Sequence, residues 1–146
     1  MSAGKPKAMR ILLLANIGSS DVQDDRDARS GDKSTPSEPP RIRGERLLKN
    51  YDAEKAHLSI PIIRAAVDWI RDQATPEEPR NLSVALFASD QSEDTPDVHR
   101  NLDTLYFAEI VKRLLKERYA DDPGAGWSLA DPKVYLIQNE NPGYYD

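Results

Sequence analysis

Three short polar clusters in this chain follow directly on apolar runs. The first is Asn16, Gly18, Ser19, Ser20 and Asp21, within "LLLANIGSSDVQ". The second is Ser89, Asp90 and Gln91, which closes "VALFASDQ". The third is Asn139, Asn141, Gly143 and Tyr144, at the end of "KVYLIQNENPGYYD". Glycine lets backbone amides come close to a ligand, while Asn, Ser and Gln side chains read phosphate oxygens and base edges alike. The chemistry on offer is recognition of a small anionic, nucleotide-like ligand. A polar cluster after a strand also serves as a turn or a helix cap, and Asp90 taken alone suits a cap.

Signatures of bond-making chemistry are absent. No G-x-G-x-x-G follows the first apolar run, and there is no Walker A lysine and no G-x-S-x-G elbow. Asp21 follows the first strand as in phosphoacceptor receivers, but no second acidic residue accompanies that strand. No nucleophile, base and orienting acid come together, so the sequence leaves open whether the protein is an enzyme. His57 and His99 are far apart without ligand-like spacing, and there is no cysteine, so no metal site is expected. His57 reads as a helix-surface residue and His99 as a solvated or capping one. Trp69 and Trp127 read as packing groups, and Tyr144 and Tyr145 as base-stacking or core residues.

The elements that must position these clusters follow from hydrophobic patterning. "ILLLA" is a continuous apolar run, which suits a strand buried on both faces of a parallel sheet. Residues 23–45 are charged, Pro/Ser-rich and nearly free of large apolar groups, and a long, disordered loop is expected there. Leu47, Leu48, Tyr51 and Leu58 recur at helical spacing, and a stripe of Ile62, Ile63, Ala66, Val67, Trp69 and Ile70 follows, with Ser59 and Pro61 marking a start or a kink within a longer helix. The prolines of "ATPEEPR" end it. Leu82 to Ala88 is the second strand. A second helix carries Leu102, Leu105, Tyr106, Ile110, Val111, Leu114 and Leu115. The third strand ends near Gln138.

The order β-loop-α-β-α-β implies right-handed βαβ crossovers and an α/β fold, a Rossmann-like parallel sheet with flanking helices. Three strands and two helices make half of a doubly wound domain, so the fold is expected to be incomplete: one domain over 1–146, or its N-terminal part. In such sheets ligands bind beyond the carboxyl ends of the strands, which is where all three clusters fall.

Composition bounds the partners. The 146 residues suffice for one core, and the net charge of −5 argues against general DNA or RNA binding. A small anion held by backbone amides is compatible with that charge. "ILLLA" is too short for a signal-peptide core, and no apolar run approaches the roughly 20 residues that span a bilayer. A cytoplasmic protein without membrane partners is expected, and no cofactor is called for.

The stretches "MRILLLANIGSSDVQ", "GERLLKNYDAEKAHLSIPIIRAAVDWI", "VALFASDQ…HRNLDTLYFAEIVKRLL" and "KVYLIQNENPGYYD" together resemble the N-terminal half of a CRISPR-associated Rossmann-fold (CARF) sensor domain of type III CRISPR ancillary proteins. The resemblance covers nearly the whole chain outside 23–45, and "ANIGSSDV" and "ASDQ" are its most specific parts. It implies a homodimer that binds cyclic oligoadenylate, an antiviral-defence second messenger, over the carboxyl ends of the strands. Asn16, Gly18, Ser19, Ser20 and Asp21 would then line the ligand, with Ser89, Asp90, Gln91 and Asn139 beside them. Binding would control an effector domain, which this chain does not contain. The family's later glycine-rich G-G-T-like turn is also missing. The resemblance leaves two alternatives: a ring nuclease that cleaves the ligand without metal through the ribose 2′-hydroxyl, or a non-binding structural half-domain that needs a completing chain.

Overall fold

A computed structural model of the chain describes residues 7–27 and 38–138. The fold is α/β. β1 (Met9–Asn16) is followed by a two-residue strand, β2 (Gln23–Asp24). Then come α1 (Pro40–Lys49), α2 (Tyr51–Glu54), a 3₁₀ turn at Lys55–His57, β3 (Leu58–Ser59) and α3 (Pro61–Asp72). β4 (Arg80–Ser89) leads to α4 (Asp97–Arg100) and α5 (Leu105–Arg118). A 3₁₀ turn at Pro123–Ala125, β5 (Trp127–Leu129) and β6 (Lys133–Ile137) complete it.

The main sheet is parallel and centred on β4. β1 pairs along one edge of it, from Met9↔Arg80 to Asn16↔Phe87. The other edge is shared: β5 pairs Arg80 to Leu82, and β6 pairs Ala85 to Ser89. β2 and β3 form a separate two-stranded antiparallel pair. The segment expected to be a loop over 23–45 is therefore ordered at both its ends, since Gln23–Asp24 pairs with Leu58–Ser59 and α1 starts at Pro40. Residues 28–37 lie outside the described set.

The winding explains what is buried. The main-sheet strands advance one way across the sheet, β1 to β4 to β6, and right-handed crossovers that advance one way lay their helices on one face. The core collects on that face. Ile11, Leu13 and Ala15 of β1 and Leu82, Val84 and Leu86 of β4 join Leu47 of α1, Ile63, Val67 and Ile70 of α3, and Phe107, Ile110, Val111 and Leu114 of α5. Among the described residues, the opposite face is uncovered. Leu12 is 64% and Leu14 60% exposed on β1, and across β4, further along the sheet, Tyr135 and Ile137 of β6 are exposed on the same face. Phe87 stacks on Tyr135 there, ring centroids 5.4 Å apart. The expectation that "ILLLA" is buried on both faces is thus corrected: an edge strand of a sheet wound in one direction buries only alternate residues.

Local packing is tight where α1 crosses α5. A Cβ on Gly44 would lie 2.9 Å from the Tyr106 Cβ, so only glycine allows this approach. α3 begins at Pro61, whose missing N–H is an unpaired donor position in any helix. Its inward stripe is Ile63, Val67 and Ile70, while Ile62 and Trp69 face outward and are exposed. Trp69 is therefore a surface residue. Trp127 is the packing group, fully buried with Nε1 donating to the Tyr119 carbonyl at 3.0 Å.

Candidate functional site

The parallel β1–β4 register brings the first two polar clusters side by side. Asn16 sits opposite Phe87, and the Ile17 N–H donates to the Phe87 carbonyl at 2.8 Å, so the ladder runs one residue past the strand. Beyond it the chain turns sharply. The Asp21 N–H donates to the Gly18 carbonyl (3.2 Å), and the Gly18 N–H donates to Asp21 Oδ2 (2.6 Å). Asp21 is buried in this role, and Val22 after it is buried in the core. The turn thereby leaves Ser19 and Ser20 exposed at its tip, with Asn16 exposed at the end of the strand.

At the end of β4, Ser89 and Thr104 exchange hydrogen bonds. The Ser89 N–H donates to Thr104 Oγ1 (3.1 Å), and the Thr104 N–H donates to Ser89 Oγ (3.2 Å). This pairing joins the strand end to the residue before α5. The Asp90 N–H donates to the Ile137 carbonyl (3.2 Å), tying in β6. Asn139 lies outside the described residues.

A charged knot adjoins this point. Arg41, in the first turn of α1, reaches Asp103 Oδ2 at 2.8 Å and Asp90 Oδ1 at 3.4 Å. The Gln91 N–H donates to the same Asp103 Oδ2 at 2.8 Å. The Arg41 guanidinium also lies over the Tyr106 ring, 5.6 Å from its centre. Asp103 is almost completely buried, yet its Oδ1 has no hydrogen-bond partner among the described residues. Arg100 Nε is buried in the same unpaired condition.

Of the residues singled out from sequence, the fold gathers Asn16, Gly18, Ser19, Ser20 and Asp21 with Ser89, Asp90 and Gln91 at one sheet edge. It spends the Asp21 carboxylate and the Ser89 hydroxyl on internal bonds. Arg41, Arg100, Asp103 and Thr104 were not anticipated. "PPRIRGE" reads as loop, although the Asp and Thr just before a helical stripe carry an N-cap signal. What the edge can do chemically is bind. It offers exposed hydroxyl and amide groups on one side and an arginine held between two carboxylates on the other.

The surroundings are otherwise plain. Clefts of about 340 and 260 Å³ lie elsewhere, one lined by Arg64, Asp68, Arg71 and Arg118, the other by Lys116, Asp121 and Asp131. His57 Nδ1 faces Asp25 Oδ1 at 3.1 Å on the surface. Among the described residues, no group of three or more His, Asp or Glu could hold a metal ion, and no helix is long and apolar enough to cross a membrane. Comparisons with family models, curated proteins and solved structures find no match for this chain.

Proposed function

We propose that the chain is a nucleotide-sensing module that binds a cyclic oligoadenylate at the carboxyl edge of its sheet, as a signalling component of type III CRISPR defence. The observation that carries this reading is the parallel β1–β4 register, which sets the Gly18–Ser20 tip beside the Ser89–Gln91 end. That position lies at the carboxyl ends of the strands, the side on which open α/β sheets take their ligands. Arg41 places a guanidinium at the same edge, shared with the carboxylates of Asp103 and Asp90. The resemblance of "ANIGSSDV" and "ASDQ" to CARF sensors names the ligand class. Calorimetric titration with cyclic tetra- and hexa-adenylate, against linear tetra-adenylate, tests it. Saturable heat with a cyclic ligand, abolished in an Asn16→Ala/Ser20→Ala variant, is the expected result. Absence of heat with both rings refutes the reading.

The uncovered sheet face favours a companion reading, in which a second polypeptide completes the sheet. Leu12 and Leu14 of β1 and Tyr135 and Ile137 of β6 are exposed apolar residues on the face opposite the core, and exposed apolar area of this kind marks an interaction face. The isolated chain should then bind a hydrophobic dye strongly and lose that signal on association. A monodisperse chain that binds no dye refutes it.

A further inference from the structure

The turn between α4 and α5 holds two buried groups of opposite hydrogen-bonding character, both unpaired. Among the described residues, Arg100 Nε is a donor with no acceptor, and Asp103 Oδ1 is an acceptor with no donor. The Asp103 N–H donates to the Arg100 carbonyl at 3.0 Å, so the turn brings the two residues together. Even so, the side chains do not pair with each other. The other carboxylate oxygen of Asp103 is fully occupied, by Arg41 and by the Gln91 N–H, and this fixes the orientation of the carboxylate. Buried polar groups are nearly always satisfied, and a specific exception calls for an explanation.

We propose that this turn is the part of the edge that tells ribonucleotides from deoxyribonucleotides. This rests on the reading given under Proposed function. Arg100 Nε donates to a phosphoryl oxygen, and Asp103 Oδ1 accepts from the ribose hydroxyl next to that phosphate. A sugar hydroxyl fits better than a base amine. It neighbours the phosphodiester and so can meet two residues three apart, whereas the exocyclic amine lies at the far end of the base. Both atoms are closed to solvent in this conformation, so the turn must open on binding. Once the ligand is seated, the contacts lie out of water, where an unmatched polar group discriminates strongly.

Asp103→Asn is the informative variant. Its amide oxygen can keep the Arg41 and Gln91 bonds while an NH₂ donor replaces the unpaired acceptor. Calorimetry would compare wild type, Asp103→Asn and Arg100→Lys, each with cyclic tetra- and hexa-adenylate, the 2′-deoxy counterpart of the tetramer, 3′-AMP and pyrophosphate. Wild type should prefer the ribose form by roughly tenfold or more. Asp103→Asn should erase that preference while melting close to wild type, a combination that a merely structural role would not give. Arg100→Lys should weaken both forms alike. If wild type binds the cyclic ligand and Asp103→Asn keeps both affinity and preference, the inference falls and the sensing reading stands. If the rings give no heat but 3′-AMP binds in an Asp103-dependent way, the sensing reading falls and the inference stands. If no ribonucleotide binds in an Asp103-dependent way, the inference is overturned.

Discussion

The carboxylate of Asp21 accepts a 2.6 Å hydrogen bond from the backbone N–H of Gly18, three residues earlier. With the Asp21 N–H donating to the Gly18 carbonyl, that bond closes the loop after β1 and fixes where Ser19 and Ser20 stand. The Asp21 carboxylate is thus a brace of the loop that follows β1. Asp21→Ala should destabilise the fold by about 1–2 kcal/mol, the cost of a charge-assisted bond made to a backbone donor. Urea denaturation measures it. An unchanged midpoint would show that the brace contributes nothing.

Asp24 gives a pH dependence with a definite sign. The Arg26 guanidinium, through its hydrogen bonds, holds the Asp24 carboxyl down at about 2, and the Arg26 backbone N–H adds to this. An unfolded aspartate titrates near ~3.9. Because the folded value is the lower one, the stabilisation is complete above about pH 4 and is lost as the pH falls towards 2. Arg26→Gln removes it. The difference between wild type and Arg26→Gln in urea midpoint should therefore be constant from pH 7 to about 4 and shrink below that.

Gly44 is where α1 and α5 come closest. A methyl group there meets the Tyr106 Cβ at 2.9 Å and the Phe107 backbone nitrogen at 3.4 Å. Helix propensity favours alanine, but overpacking should win and cost roughly 1–3 kcal/mol. A Gly44→Ala protein more stable than wild type in chemical denaturation would show that the helices can separate freely.

The two faces of the sheet should respond unequally to mutation. Leu12→Ser and Leu14→Ser alter exposed positions and should shift stability by no more than about 0.5 kcal/mol. Leu82→Ala on β4 opens a cavity in the core and should cost about 2–5 kcal/mol. Equal costs on both faces, from denaturation midpoints, would mean that the face bearing Leu12 and Leu14 is covered in solution.

Much of this architecture was legible before the structure. The 3.6-residue stripes of α3 and α5 and the apolar runs of β1, β4 and β6 mark their elements, and the polar residues after β1 and β4 do meet at one edge. What escaped depends on tertiary relations. "ILLLA" has the same composition whether one face or two are covered, and only the winding direction decides. The two-residue strands β2 and β3 are too short to carry a period. Arg41 sits in a proline-rich segment that reads as loop, and its partners Asp90 and Asp103 are 49 and 62 residues away along the chain. The exposed side of α3 misled as well. Ile62 and Trp69 are apolar and helically spaced, but they fall just outside the arc that meets the core.

The edge position of β1 has a consequence for amide hydrogen exchange. Met9 and Ile17 both donate their N–H towards the β4 side, to the carbonyls of Pro79 and Phe87. Strand amides alternate in direction, so those of Ile11, Leu13 and Ala15 point the same way, while those of Arg10, Leu12, Leu14 and Asn16 point outward, where no strand pairs with them among the described residues. Protection along this strand should therefore alternate residue by residue, slow at odd positions and fast at even ones. A polypeptide that docked along β1 would slow the even-numbered amides and leave the odd ones as they were.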